Sequence, residues 1–267
     1  MDNKNPLVSV IIPCYNAEKI VGYTLDSVIN QTYNNIEIIC VNDCSKDNSL
    51  KVLEEFEKKD KRIKVLNNSK NSGVAETRNN ALKIAKGEYV AFVDSDDIWH
   101  LDKLEKQINF MVENGYDLTF TSVQFIDDNG NLTGTRFIVP KQVTYKQLLK
   151  QNVITLSSAV ISKKILKDRI FHDDHLHEDF ILWLELLKEE TDKAYGMTEV
   201  LVDYRLTAGS KTRNKWKSLK MTYKTYKHFH INWIKAHYYL FHYIIRGLRK
   251  YKKGRNDNDE NREDRRK

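Results

Sequence analysis

The sequence is poor in the residues that break or cross-link a chain. It has 3 prolines, 10 glycines and 3 cysteines among 267 residues, which excludes collagen-like, low-complexity and disulfide-stapled proteins. The cysteines lie at positions 14, 40 and 44, without the spacing of a CxxC pair or of a metal site, and this favours a reducing compartment. With 40% hydrophobic residues, the chain is long enough to bury a sizeable core.

No apolar run is long enough to cross a bilayer. The most apolar stretch of the C-terminal part, residues 236–245, lies between Lys235 and Arg246, whereas a membrane-spanning helix needs about 20 apolar residues. The first six residues lack the basic and apolar regions of a signal peptide. We therefore expect a cytoplasmic protein without a transmembrane helix.

Acidic side chains are missing from residues 211–255, which carry 14 lysines and arginines. The preceding 210 residues hold 26 basic and 32 acidic side chains, so an acidic body is followed by a basic extension. Apolar residues recur in this extension at steps of four, three or seven, which predicts helical structure with an aromatic stripe. The stripe consists of Leu219, Tyr223, Tyr226, Trp233, Leu240 and Ile244.

Two interpretations of the basic extension stay open. Its charge and aromatic residues favour contact with an anionic membrane surface on the cytoplasmic side. Alternatively, the stripe packs on the rest of the protein and the lysines are only solvated. No nucleic-acid partner is expected, because no recognition motif accompanies the charge.

The first 93 residues alternate short, nearly continuous apolar runs with amphipathic stretches. The runs lie at residues 7–12, 36–41, 63–66 and 89–93, and the amphipathic stretches lie at 17–31, 48–59 and 76–85. The runs are rich in β-branched residues and predict buried strands, and the stretches have helical spacing. This order predicts an α/β fold with a mostly parallel sheet flanked by helices. Ligands of such sheets bind at the carboxyl ends of the strands.

The second half of the chain is less regular. We predict strands at residues 118–126, 132–139, 157–161 and 199–204 and an amphipathic helix at 178–188. Between the first two strands, Asp127-Asp128-Asn129-Gly130 is a hairpin signal.

The sharpest single feature is Asp94-Ser95-Asp96-Asp97, directly after the fourth predicted strand. Three carboxylates within four residues repel one another, and a divalent cation between them would relieve the repulsion. Oxygen ligands of this kind suit Mg²⁺ or Mn²⁺. The alternative interpretation is an acidic N-terminus that caps a helix beginning near Ile98.

Two further acidic sites allow two interpretations each. Asp43 follows the second predicted strand, where it would either hydrogen-bond a nucleobase or form a turn with the polar residues after it. Glu178 and Asp179 open a predicted helix, where a carboxylate would either accept a proton from a substrate hydroxyl or complement the helix dipole. That dipole lowers a carboxyl pKa unless burial offsets it. The nearby His175 and His177 lack a third metal ligand at suitable spacing.

Taken together, these pieces form an ordered series. The chain reads VSVIIPCYNAE, then QTYNNIEIICVNDCSKDNS, then NSGVAETRNNALKIAKGEYVAFVDSDDIWHLDKLEKQ, then HEDFILWLELL. This series resembles family 2 glycosyltransferases with the GT-A fold, over about residues 7–206. With its Lys- and Tyr-rich extension, the chain is most similar to bacterial transferases that build cell-surface polysaccharides of the teichuronic-acid and lipopolysaccharide type.

The resemblance implies a nucleotide-sugar site. Pro13, Tyr15 and Asp43 would border the nucleotide base, which we expect to be uracil, with Asp43 accepting a hydrogen bond from it. Arg78, in the GVAETRN segment, would face the nucleotide and its diphosphate.

The same resemblance assigns the acidic motifs. Asp94 and Asp96 would form the DxD motif that holds Mn²⁺ or Mg²⁺, with Asp96 the more direct ligand and Ser95 beside the nucleotide sugar. Asp179 would be the general base. Glu178 and Trp183 would line the sugar or acceptor pocket.

Two departures from the family pattern have consequences. Asn42-Asp43-Cys44-Ser45 stands where relatives often have Asp-Asp-Gly-Ser, so one carboxylate is missing and the turn needs no glycine. The Gln-x-x-Arg-Trp signature of processive synthases is absent after Asp179, which implies addition of one sugar per encounter.

We therefore expect a metal-dependent, inverting, non-processive glycosyltransferase at the inner face of the cell membrane. It would use a UDP-sugar donor and a saccharide or lipid-linked acceptor in surface polysaccharide synthesis. The alternative is a catalytically silent module that binds a nucleotide sugar or a glycan. The expected organisation is a GT-A domain at 1–210 with a nucleotide-binding half (1–97) and an acceptor half (98–210), a basic helical extension (211–255) and a disordered polar tail (256–267).

Overall fold

A computed structural model gives the fold and describes residues 5–172, 176–207 and 215–246. The predicted polar tail, both ends of the basic extension and the side chain of His175 lie outside these residues. None of the helices in the described ranges is long and apolar enough to cross a bilayer.

Strands and helices alternate through the first half and mix less regularly afterwards. The strands are β1 (Val8–Cys14), β2 (Ile36–Asn42), β3 (Ile63–Asn67), β4 (Tyr89–Phe92), β5 (Ile98–Trp99), β6 (Leu118–Ile126), β7 (Leu132–Phe137), β8 (Gln142–Val143), β9 (Val160–Ser162) and β10 (Ala194–Arg205). The helices are α1 (Val21–Ile29), α2 (Ser49–Lys59), α3 (Val74–Leu82), α4 (Lys103–Asn114), α5 (Tyr145–Leu148), α6 (Lys163–Leu166), α7 (Glu178–Glu189) and α8 (Lys215–His228), with a 3-10 helix at Leu156–Ser158 and helical backbone at residues 233–246.

The strands join in one mixed sheet. Their order is β3-β2-β1-β4-β9-β6-β10-β5, with β7 paired to β6 and β8 paired to β10. The first four strands run parallel, as do β6 and β10, whereas β9 runs antiparallel to both β4 and β6. The predicted α/β class with a mostly parallel sheet is therefore confirmed.

Two apolar clusters cover the two faces of the sheet. Val10 and Ile12 of β1 belong to one cluster, together with apolar residues of α1, α2 and α4. Ile11 belongs to the other cluster, together with residues of α3, α5 and α7. Successive side chains of a strand point to opposite faces, and each fully buried Val, Leu, Ile or Phe contributes about 1.5–3 kcal/mol. The β-branched runs therefore form strands because both of their faces are covered.

The segment after the acidic motif corrects one interpretation. No helix begins near Ile98; instead Ile98 and Trp99 form β5, which pairs antiparallel with Asp203 and Val202 of β10. The next helix, α4, begins only at Lys103. The acidic residues at 94–97 therefore do not cap a helix, because the chain beyond them is committed to the edge of the sheet.

Two predicted strands have different bounds in the structure. Residues 156–158 form a 3-10 helix, and only Val160–Ser162 form β9. The last strand, β10, starts at Ala194 rather than 199, and its pairing with β6 shifts register between Met197 and Val202. These irregularities interrupt the alternation that would reveal a strand in the sequence.

The basic extension both packs on the domain and exposes apolar side chains. Tyr226 of α8 is fully buried, and its hydroxyl donates a hydrogen bond to the Leu149 carbonyl at 2.7 Å. Along residues 233–246, Ala236 is buried and Leu240 packs against the core. The side chains exposed there are Trp233, Ile234, Tyr238, Phe241 and Ile244. The sequence stripe is thus divided between two faces.

Candidate active site

The polar loops after β1 and β2 lie side by side at one edge of the sheet. Cys14 pairs with Asn42 at the ends of these strands, and the Asp43 N–H donates to the Cys14 carbonyl at 2.8 Å. The Asn16 N–H donates to the Ser45 hydroxyl at 3.0 Å. Pro13 is buried at the end of β1, and the Tyr15 ring beyond it is 44% exposed. An exposed aromatic ring therefore stands at this edge.

Asp43 fixes the loop that leads into α3. Its carboxylate accepts hydrogen bonds from the Asn68 amide at 2.9 Å, the Ser72 N–H at 2.8 Å and the Gly73 N–H at 2.9 Å. Gly73 has φ 85°, a conformation that favours glycine. Asp43 therefore organises the 68–73 loop rather than a turn with the residues that follow it, and sequence reasoning did not find Asn68 or Ser72.

Arg78 joins the acidic motif to the start of α7. Its buried guanidinium donates to Asp94 Oδ1 at 2.6 Å and to Glu178 Oε1 at 3.0 Å. The same group lies 5.3 Å from the centre of the Phe171 ring. Asp94 and Glu178, which are far apart in sequence, are therefore held at one point by a single cation.

Two residues that sequence reasoning missed, Ser157 and Arg205, hydrogen-bond to the acidic loop at residues 94–97. Ser157 donates its hydroxyl to Asp97 Oδ2 and accepts from the Asp94 N–H at 3.1 Å. Arg205, at the end of β10, donates its backbone N–H to Asp97 Oδ1 at 2.9 Å and its Nε to the Asp96 carbonyl at 2.9 Å. Asp97 is thus a buried anchor, whereas Asp94, Ser95 and Asp96 remain partly exposed.

Four carboxylates act on one tyrosine. Burial and the charges of Asp97, Asp94, Asp96 and Asp179, in that order, raise the pKa of Tyr204 well above its usual range. Burial and the Asp94 charge likewise raise the pKa of Asp96 to about 6. Tyr204 therefore lies within electrostatic range of both Asp179 and the 94–97 loop.

This site has the composition that a divalent cation requires. Hard oxygen ligands and accumulated negative charge are what Mg²⁺ and Mn²⁺ bind in proteins. Repulsion and burial disfavour ionised carboxylates here, and a bound cation would reverse that effect. The residues present therefore fit such a cation, with Asp96 and Asp94 as its candidate ligands.

Asp179 lies in the first turn of α7 and is half-buried. Its Oδ2 accepts from the Asn152 amide at 3.4 Å, and its Oδ1 accepts from the Phe180 N–H at 2.7 Å. Burial and the Glu178 charge raise the pKa of Asp179 to about 6. Burial and the Glu178 charge therefore outweigh the effects that lower this pKa, and a carboxyl group with a raised pKa is better suited to accept a proton.

Trp183 does not line an open pocket. Its side chain is fully buried in the core, and its Nε1 finds no hydrogen-bond partner among the described residues. The ring lies one turn after Asp179 on the same helix. We therefore correct its assignment to the sugar or acceptor pocket, because the packing of α7 on the sheet encloses it.

Of the two histidines considered as metal ligands, His177 lies among the described residues. His177 Nε2 lies 3.2 Å from the Ser218 carbonyl of α8. His175 lies outside the described residues.

A family model and two similar proteins all identify the chain as similar to glycosyltransferases. Residues 9–169 match the family model described as glycosyl transferase family 2. The chain is 38% identical, over 94% of its length and 99% of the other, to a Bacillus subtilis protein named as a teichuronic acid biosynthesis glycosyltransferase, TuaG. It is also 38% identical, over 92% of its length and 95% of the other, to the Escherichia coli UDP-Glc:alpha-D-GlcNAc-diphosphoundecaprenol beta-1,3-glucosyltransferase WfgD.

Solved structures share the fold. The crystal structure of S. aureus TarS 1-349 in complex with UDP-GlcNAc matches with a TM-score of 0.67 and 25% identity over 82% of this chain. The chain spans 64% of that TarS chain. A mannosyltransferase from Pyrobaculum calidifontis in complex with GDP-Man and Mn²⁺ matches over 88% of this chain and 70% of its own, with a TM-score of 0.65 and 16% identity, a likeness of fold alone.

Proposed function

The chain belongs to glycosyl transferase family 2, and from this premise we propose that it is an inverting, non-processive transferase of bacterial surface polysaccharide synthesis. It transfers a sugar from a UDP-sugar to a saccharide or lipid-linked acceptor. The observation that carries the proposal is the Arg78 bridge, which holds Asp94 of the DxD motif against Glu178, the neighbour of Asp179. The bridge supports a single site for the proposed donor-binding motif and the proposed base.

The names of relatives support the donor and the acceptor. WfgD is named for a UDP-Glc donor and a diphosphoundecaprenol-linked acceptor, and TarS was solved with UDP-GlcNAc and with UDP. An acceptor with a polyprenyl lipid would place this enzyme at the inner face of the cell membrane.

On the nucleotide side, Asp43 is proposed to accept from the uracil N–H. An ionised carboxylate offers about four acceptor positions, and the described donors Asn68, Ser72 and Gly73 take three of them. The exposed ring of Tyr15 stacks on the base, and Pro13 borders it. Arg78 and Ser95 face the diphosphate side of the donor.

On the acceptor side, Asp179 takes the proton of the attacking hydroxyl at its carboxylate. Glu178 lines the same pocket and keeps Asp179 basic through its negative charge. A divalent cation, when held by Asp96 and Asp94, supplies charge neutralisation for the departing diphosphate. The proposal assigns one base and no nucleophilic carboxylate. A single displacement with inversion at the anomeric carbon follows from that assignment.

The extension is proposed to rest on the anionic membrane surface. Trp233, Ile234 and Phe241 are 62–70% exposed on the helical residues 233–246. Tyr226 anchors the preceding helix to the domain. An aromatic face on a docked, basic extension is what interfacial binding requires.

The direct test is a transfer assay. Purified protein is incubated with Mn²⁺, a panel of nucleotide sugars and polyprenyl-diphosphate-linked or free saccharides, and released nucleotide and the anomeric configuration of the product are measured. We expect turnover with a UDP-sugar and an inverted product. Nucleotide-sugar binding without transfer to any acceptor would instead support the silent binding module.

Two variants separate the proposed roles. Asp179→Asn is expected to bind donor normally and to lose about 10²–10⁴-fold in transfer. Asp96→Ala is expected to lose metal-dependent donor binding. The exposed Asp192, after α7, gives a matched control, and Asp192→Asn should behave as wild type. Full turnover by either active-site variant would contradict the assignment.

A further inference from the structure

Three side chains that the proposed reaction does not use converge between the domain and its extension. His172 precedes α7, Glu185 lies within α7, and His228 ends α8. His172 Nε2 lies 2.9 Å and His228 Nε2 lies 3.9 Å from the same oxygen of Glu185. All three potential ligand atoms lie within 4.8 Å of one another.

This spacing matches a tetrahedral metal site. Zinc binds imidazole nitrogen and carboxylate oxygen at about 2.0–2.2 Å, which places neighbouring ligand atoms of a tetrahedron about 3.3–3.5 Å apart. The two separations from Glu185 lie on either side of this value, and the two histidine nitrogens lie within 4.8 Å of each other. Side-chain shifts of about one ångström would therefore seat the ion. Two histidines and one glutamate form a recognised zinc set with room for a water ligand.

The ligand types also select the metal. Imidazole suits zinc and its transition-metal neighbours, whereas Mg²⁺ and Ca²⁺ prefer oxygen alone. We propose that His172, Glu185 and His228 bind one zinc-class divalent ion that fastens α8 to α7. This site is separate from the DxD motif in both its residues and its ligand chemistry.

The position gives the ion a structural consequence. α8 is the first helix of the basic extension, and α7 begins with Glu178 and Asp179. Glu185 lies six residues after Asp179, about 9 Å along the helix axis. An ion at this point ties the extension to the helix that carries the proposed base.

The test uses the full chain, stripped with a chelator and titrated with Zn²⁺ alone in the absence of nucleotide. We expect one equivalent to bind and to raise the thermal midpoint, because a ligand that binds only the folded state stabilises it. Co²⁺ in place of Zn²⁺ should give the visible absorption of a tetrahedral site.

Matched variants identify the ligands. His172→Gln and His228→Gln should each weaken Zn²⁺ binding at least about 10-fold and remove the tetrahedral Co²⁺ spectrum. His237→Gln, an exposed histidine of the same extension, should not. Asp96→Ala should keep the Zn²⁺ equivalent. Unchanged Zn²⁺ affinity in both ligand variants, or loss of Zn²⁺ binding in Asp96→Ala, would overturn the proposal. If a variant fails to fold, the Co²⁺ spectrum of the wild type is the test, and a spectrum without tetrahedral absorption would overturn the proposal.

Discussion

Glu178→Gln should shift the acid limb of the transfer reaction to lower pH. Asp179 has a pKa of about 6 because desolvation at its half-buried position and the Glu178 charge both oppose its ionisation. The substitution removes that charge. It also removes one of the two carboxylates on Arg78, so the guanidinium acts more strongly on Asp179, and this too favours the ionised form.

The expected size of the shift is limited by burial. Desolvation is the largest cause of the raised Asp179 pKa, and the Glu178 charge comes second. The pKa in the variant should therefore fall by about one unit, or about 1.4 kcal/mol, without reaching the ordinary aspartate value near 4. At pH 5 the ionised fraction of Asp179 would rise from about one tenth to about one half.

The assay is kcat/KM for the acceptor at saturating donor between pH 4.5 and 8, which reports the pKa of the base before the acceptor binds. Saturating Mn²⁺ keeps the metal-binding carboxylates ionised, so their titration does not enter the profile. Glu189→Gln, at the far end of α7, is the control and should leave the limb in place. An acid limb that stays put or moves upward in Glu178→Gln would refute the role of Asp179 as the base.

Three further outcomes are expected. Arg78→Met should destabilise the fold by about 3 kcal/mol in urea unfolding, because it removes a buried guanidinium that pairs with both Asp94 and Glu178. Burial lowers the pKa of Lys103 to about 7, and its ammonium donates a hydrogen bond to Gln107. Lys103→Met should therefore stabilise the fold by about 2–3 kcal/mol at pH 7, after loss of that hydrogen bond is subtracted. This gain should shrink as pH rises towards 10, because the lysine is then neutral in the unfolded chain as well. The double substitution Trp233→Ser and Phe241→Ser should weaken binding to anionic liposomes without changing the thermal midpoint.

Each of these predictions has a control variant or a contradicting outcome. A stability loss below about 1 kcal/mol in Arg78→Met would mean that both carboxylates are well hydrated without it. Lys61→Met, at an exposed position, should show no gain at pH 7. Tyr23→Ser removes an equally exposed ring from α1, on the other face of the sheet, and should leave liposome binding intact. If Tyr23→Ser weakens liposome binding as much as the double substitution does, the aromatic face of the extension has no specific role in membrane binding.

The first half of the fold was predictable because its central strands, β1, β2 and β4, are covered on both faces. A strand of this kind needs a continuous apolar run, and the runs at 7–12, 36–41, 63–66 and 89–93 match β1 to β4 within about two residues at each end. The second half was less predictable. β5 has two residues and β10 contains register shifts, so their pairing depends on partners that sequence periodicity does not show.

The sequence predicted individual residues of the candidate site but not the contacts that connect them. Polar residues after parallel strands must share an edge, which puts Asp43 and Asp94 at the same edge of the sheet. The Arg78 contact with Glu178 spans 100 residues and depends on how α7 packs on the sheet. The same holds for the contact between Ser157 and Asp97, where an ordinary serine gives no signal in the sequence.

The extension shows why helical spacing alone misled the prediction of a single stripe. Tyr226 and Trp233 are seven residues apart and would share one face of a continuous helix. The chain instead leaves α8 through His230, which has φ 53°, and helical backbone resumes at residue 233. This break changes the phase, so Tyr226 is buried while Trp233 is 70% exposed. Packing on the domain therefore accounts for Tyr226, and the side chains exposed along residues 233–246 are the ones that the proposed membrane contact would use.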